Sequence, residues 1–284
     1  MIFTLTYIKL RNLDFQFDEV SNSKLAESLE ATEDLNFITV KIKEIKMAQE
    51  KNVTRNLMLL LVGMIVIYLL QKNGNFFPIL FLVLSIFLIW KNKSGFSKKD
   101  FIIGIALAAL SLNPIYAICI IFGYMGAKQL YDKSNVKISL LPKTKQEIIV
   151  YGVLPAIFLT LLNTVWMIQT NPIDFSFRVN AIVGGLIASI PEEFLFRYLV
   201  FAVCVYMGKG KVFSNFQNIL CYIILILPHV LMHFPAGIEM NVIDLGLMSV
   251  FGIVLTFIQR KSSLTLAIGV HFIIDFIRFT IFGV

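Results

Sequence analysis

The sequence predicts an all-α fold: a polytopic bundle of about eight membrane segments with a small N-terminal cytosolic appendage. Three observations lead there. Of 284 residues, 57% are apolar and only 15% charged, well below the roughly 25% charge of a soluble domain. The apolar residues gather into runs that approach the ~20 residues a bilayer helix needs. The basic residues fall in the gaps between those runs, as the cytoplasmic bias of Lys and Arg requires. The net charge of +7 therefore reads as positive-inside topology. It does not read as a nucleic-acid footprint, because no amphipathic face carries it.

Residues 1–55 hold nine acids and eight bases, whereas residues 56–284 hold nine acids and seventeen bases. This shift marks a domain boundary near Arg55. Alternation over residues 2–10 and 37–45 suggests two strands, with a helix over 24–31 between them, as in a small α+β unit. The opening MIFTLTYIKLRN has no basic leader and too short an apolar core for a cleaved secretory signal. The N-terminus is expected to stay cytosolic.

Apolar segments then run over about 57–71, 76–90, 101–127, 149–168, 179–208, 219–234, 242–258 and 264–283. Residues 56–148 form an N-terminal set of membrane helices and 149–284 a core. Lys91, Lys93, Lys98 and Lys99 mark one short loop, and Lys128, Lys133, Lys137, Lys143 and Lys145 the next. Lys209 and Lys211, and Arg260 and Lys261, mark two more. All four loops can be cytoplasmic only if 101–127 crosses an even number of times, and Asn113-Pro114 in its middle suits the turn of a helical hairpin. One long kinked helix is the alternative. Cys119, Cys204 and Cys221 lie in apolar runs without metal-type spacing and read as buried thiols.

Segment 179–208 places Glu192, Glu193 and Arg197 in the middle of an otherwise uncharged run. An ionisable group at such depth costs about 2.5–3.5 kcal/mol on insertion scales. Glu193 and Arg197 are four apart with the acid first, the favourable orientation for an ion pair on one helix face. A buried pair that only fixes helix packing would account for those two, but not for Glu192. His229 and His233 follow at the same spacing in the next segment, and His271 and Asp275 in the last. These are the only three histidines. A single imidazole on an apolar helix is ordinarily a packing residue; three, each near an acid or another imidazole, suggest a shared cavity. Carboxylates, imidazoles and a guanidinium together suit hydrolysis, metal binding or proton relay. Gly184 and Gly185 suggest close helix approach, and Pro191 a bend. Asp244 and Arg278, near segment ends, read as interfacial.

PEEFLFR resembles the EExxxR motif of the CPBP family, the CAAX protease and bacteriocin-processing family also called Abi. HVLMHFPAG is similar to its FxxxH motif and HFIID to its HxxxN/D motif, in the same order, within residues 149–284. The resemblance implies a helical bundle around a hydrophilic cavity and an endopeptidase that cuts a membrane-associated peptide or protein within the bilayer, at the cell membrane. It implies that Glu192 is the general base, that Glu193 braces Arg197, that His233 holds and activates water, and that His271 and Asp275 line the oxyanion side.

Two positions depart from that pattern. His229 stands where the family usually has Phe and creates an HxxxH pair that could ligate a divalent metal such as zinc; a glutamate-dependent mechanism without cofactor is the favoured reading. At 275, an ionised Asp only accepts hydrogen bonds where Asn would donate, so it is either protonated or serves to orient His271. The alternative function is a non-proteolytic immunity or scaffold protein of the Abi type. A proton-coupled transporter is a third, against which stands the lack of a repeated half-sequence.

Overall fold

A computed structural model describes residues 35–70, 77–91, 97–175, 179–234 and 241–283. The chain divides into two units, Met1–Asn52 and Val53–Val284. The strand expected at 2–10 and the helix expected at 24–31 lie outside the described residues. Residues 37–45, expected as a strand, are helical and belong to α1, Leu35–Leu70. The alternation there runs straight into good helix formers at 46–51, KMAQEK, and a short period-two pattern does not outweigh that continuation. Among the described residues no strand offers it a partner.

After α1 come α2 (Phe77–Lys91), α3 (Lys98–Leu110) and α4 (Pro114–Lys133). Helix α5, Lys145–Thr170, contains a π-helical turn at Ile149–Val153. Helix α6 is built from Val179–Glu192, the π-helical Glu193–Leu199 and Val200–Met207. Last come α7 (Asn215–Met232), α8 (Val242–Lys261) and α9 (Leu264–Phe282). Among the described residues α1, α5, α7, α8 and α9 are long and apolar enough to cross a membrane, and α2 is a shorter apolar helix. Each of the eight apolar segments is helical, and 101–127 is two helices.

The ends follow from local chemistry. Asn113 accepts the Ile115 N–H at 3.2 Å and Pro114 opens α4, the pairing of cap and N1 proline that starts a helix without orphaning a donor. Ser214 and Gln217 form a capping box on α7. Asn241 caps α8 and Ser263 caps α9. Gly283, at φ 70°, closes α9 in the left-handed conformation that glycine adopts without a Cβ clash.

Two apolar clusters hold the membrane unit. One joins α2, α4, the second half of α6 and α7 through Phe81, Tyr124, Phe196 and Phe201. The other joins α5, α8 and α9 through Leu159, Leu255 and Ala267. Large apolar side chains such as Ile102, Ile157 and Val165 remain exposed on the outside, as lipid-facing helices require.

Helix α6 lies between them. Gly184 and Gly185 let α9 approach: a Cβ on either would meet the rings of Phe279 and Phe272 at 3.0 Å. Pro191 has no N–H to donate, and two residues later the helix widens into its π segment, every residue of which is buried. Such π turns change the direction in which successive side chains project and recur at functional sites. This one packs against α2, α4, α7, α8 and α9.

Candidate active site

The break in α6 separates two consecutive carboxylates. Glu193 opens the π segment and is fully buried, whereas the Glu192 side chain keeps 17% of its surface. Arg197, also fully buried, joins its Nη1 to Glu193 Oε1 at 2.5 Å. His271 on α9 brings Nδ1 to 2.8 Å of the same oxygen. Arg197 also donates from Nε to Thr256 Oγ1 on α8 at 3.3 Å. Its Nη2 lies 3.3 Å from His229 Nδ1 on α7. One guanidinium thus ties together α6, α7 and α8, and through Glu193 reaches α9.

A guanidinium only donates, so His229 Nδ1 must accept, and the neutral ring then carries its proton on Nε2. That nitrogen lies 2.7 Å from Glu192 Oε2 and donates to it. His271 Nε2 lies 3.8 Å and His233 Nε2 4.0 Å from the same oxygen. Asp275 faces two bases: Oδ2 is 3.3 Å from His271 Nε2, and Oδ1 is 3.4 Å from Arg278 Nη2.

Glu192, Glu193, Arg197, His233, His271 and Asp275, the six residues expected from the sequence, therefore occupy one cluster. His229 is its nearest neighbour to Glu192. Thr256 and Arg278 join it as well. Arg278, read from the sequence as interfacial, reaches Asp275 three residues earlier on the same face of α9 while its side chain stays 29% exposed. Thr256 carries no sequence signal, since a hydroxyl in an apolar helix ordinarily satisfies its own backbone.

A cavity of about 290 Å³ opens beside the cluster, lined by Asn113, Tyr116, Ile187, Ala188, Pro191, Glu192, Phe196 and Met232. Among the described residues Glu192 is the only charged side chain on its wall.

Donor atoms of Glu192, His229 and His233 lie within 4.8 Å of one another, a two-imidazole, one-carboxylate set of the kind that holds catalytic zinc. The arrangement around His229 does not fit that use. A metal-bound imidazole usually donates its other N–H to an acceptor, but the other nitrogen here faces Arg197, which has none to offer.

Residues 174–277 match the Rce1-like family, described as type II CAAX prenyl endopeptidases. Over that segment the chain is similar to the CPBP family. The match contains all three motifs and all six expected residues; the resemblance drawn from the sequence began earlier, at 149. The similarity supports, in general terms, a CAAX-protease type of function within the membrane. No curated protein and no solved structure matches it. Outside the CPBP segment lie α1 to α5, including the Asn113 and Tyr116 side of the cavity.

Proposed function

We propose that the chain is an intramembrane endopeptidase in which Glu192 activates a water to hydrolyse a peptide bond of a membrane-associated protein or peptide. The observation that carries this reading is the position of Glu192: it alone of the clustered carboxylates lines a cavity, and three imidazoles surround its Oε2 within 4.0 Å.

In the proposed reaction Glu192 takes a proton from water as the oxygen attacks the scissile carbonyl carbon. The tetrahedral oxyanion is then stabilised by an N–H donor of His233, while His271, whose two N–H groups are engaged by Glu193 and Asp275, contributes its positive charge. Glu192 returns the proton to the departing nitrogen, the C–N bond breaks, and the products are a carboxylate and an amine. His229 holds Glu192 in place through its Nε2–H. Glu193 and Asp275 present acceptors to opposite nitrogens of His271, and only the doubly protonated ring donates to both. That ring, with Arg197 and Arg278, balances the three carboxylates. Asp275 accepts from both its neighbours and so serves to orient His271; it does not itself donate to the oxyanion.

No step is assigned to a metal, because the His229 proton occupies the nitrogen that a metal would need. The test compares membrane peptides from cells carrying wild-type protein and cells carrying Glu192→Gln by mass spectrometry. A precursor that accumulates only with Glu192→Gln is the expected result; identical peptide profiles, with both proteins present in the membrane, would refute the reading.

A further inference from the structure

Helix α3 has 13 residues, so at ~1.5 Å per residue it extends about 20 Å, short of the ~30 Å hydrocarbon core. It runs from the lysines at 98 and 99 to a turn at Ser111–Asn113, and α4 returns to Lys128 and Lys133. Gly104 packs against the Ile121 carbonyl, where a Cβ would come within 3.1 Å, so the two helices are antiparallel. With basic residues at both feet, the tip of this hairpin stops within the bilayer. Non-helical backbone is tolerated at such depth only where protein covers it or where it borders a polar cavity. Here it borders the cavity of Glu192: Asn113 and Tyr116 face the carboxylate across it.

The tip is held there. Ser111 is fully buried, and its hydroxyl donates to the Ala108 carbonyl at 2.7 Å. Tyr116 packs edge-on to Phe81 at 6.3 Å, Phe81 on Phe196 at 4.9 Å, and Phe196 on His229 at 5.3 Å. A row of rings thus connects the tip with the residue that holds Glu192. Because Asn113 Oδ1 is engaged by the Ile115 N–H, the group it offers a ligand is its amide N–H₂, a donor.

A peptide bond inside a membrane helix is hydrogen-bonded to its own turn and screened from attack. Cleavage requires an extended segment, and an extended segment in an apolar place needs new partners for its carbonyls. We propose that the α3–α4 hairpin tip is the far wall of the substrate cleft, with Asn113 donating to a backbone carbonyl of an extended, uncharged peptide segment. An apolar side chain beside the scissile bond sits between Tyr116, Phe196 and Met232. Acidic side chains are rejected there by Glu192, and basic ones by the apolar remainder of the wall. The assignment rests on the peptidase reading above, but uses residues outside the family match.

The test uses the full chain in lipid nanodiscs as Glu192→Gln, so that a probe is bound and not cut. The probe is an uncharged Ala/Leu peptide carrying one benzophenone side chain, irradiated and mapped by mass spectrometry. The expected label is on Met232 or Tyr116, and it falls at least tenfold with Asn113→Ser, which preserves a helix cap while removing the amide. A Lys beside the benzophenone should likewise reduce labelling at least tenfold. Label elsewhere, no label, or labelling unaffected by Asn113→Ser in protein that remains monodisperse overturns the cleft. The peptidase reading fails separately, if cells with Glu192→Gln process every precursor as wild type does.

Discussion

The two sides of the cluster are built differently. On the inner side Glu193, Arg197, Thr256, His271, Asp275 and Arg278 form a chain of paired charges and hydrogen bonds in which the central ion pair is sealed from its surroundings. On the outer side Glu192 has one close partner, His229, and two imidazoles at longer range, and it meets a cavity. Adjacent carboxylates have thus been given separate tasks by one proline and a π turn. In the proposed reaction the inner side holds helices in register, and the outer side exchanges protons. A sealed carboxylate paired with a guanidinium makes a poor base, and a carboxylate with only one fixed partner makes a poor brace.

Breaking the inner side should have the largest effect. Arg197→Ala leaves Glu193 buried without its partner, a loss of about 3–5 kcal/mol in comparable sites. The purified variant should lose its monodisperse peak in detergent size-exclusion chromatography, and a well-folded Arg197→Ala would show that the pair is not structural. His229→Phe touches the outer side instead. It removes one hydrogen bond to a charged carboxylate, worth about 1.5–3 kcal/mol, so kcat/KM should fall about 10- to 100-fold while the elution profile is kept. The wild-type protein tests the metal question: chelator should leave its activity unchanged, and elemental analysis should find no stoichiometric divalent ion. Thr256→Val should have the smallest effect, removing one of the three groups bonded to Arg197 at a cost of about 1 kcal/mol, visible as a slightly lower melting temperature with the cleavage pattern unaltered.

Much of this contrast is legible in the sequence. Charges within a thirty-residue apolar run are conspicuous because the bilayer makes them costly, so Glu192, Glu193 and Arg197 identify themselves. Spacing of four places His271 with Asp275, and Asn113-Pro114 signals the hairpin through cap and proline chemistry. Helical periodicity does not reveal where an α-helix becomes a π-helix. Spacing of four pairs Glu193 with Arg197 and leaves Glu192 over, but that the first is sealed while the second borders a cavity is visible only in the structure. Nearness to a segment end suggests depth but not direction, and so does not reveal that Arg278 reaches Asp275. Residues 37–45 mislead for a related reason: nine alternating residues suit a strand, but a strand also needs a partner, and the helix-forming sequence that follows needs none.

The division of labour between the two glutamates is the central claim, and one paired measurement tests it. Glu192→Gln and Glu193→Gln are purified in parallel, and thermal denaturation and cleavage are recorded on the same samples with the precursor that accumulates in cells. Glu192→Gln should melt with the wild type and lose cleavage by about 10²- to 10⁴-fold, the usual contribution of a general base. Glu193→Gln should melt at a clearly lower temperature. A stable, inactive Glu193→Gln beside an active Glu192→Gln would contradict the account.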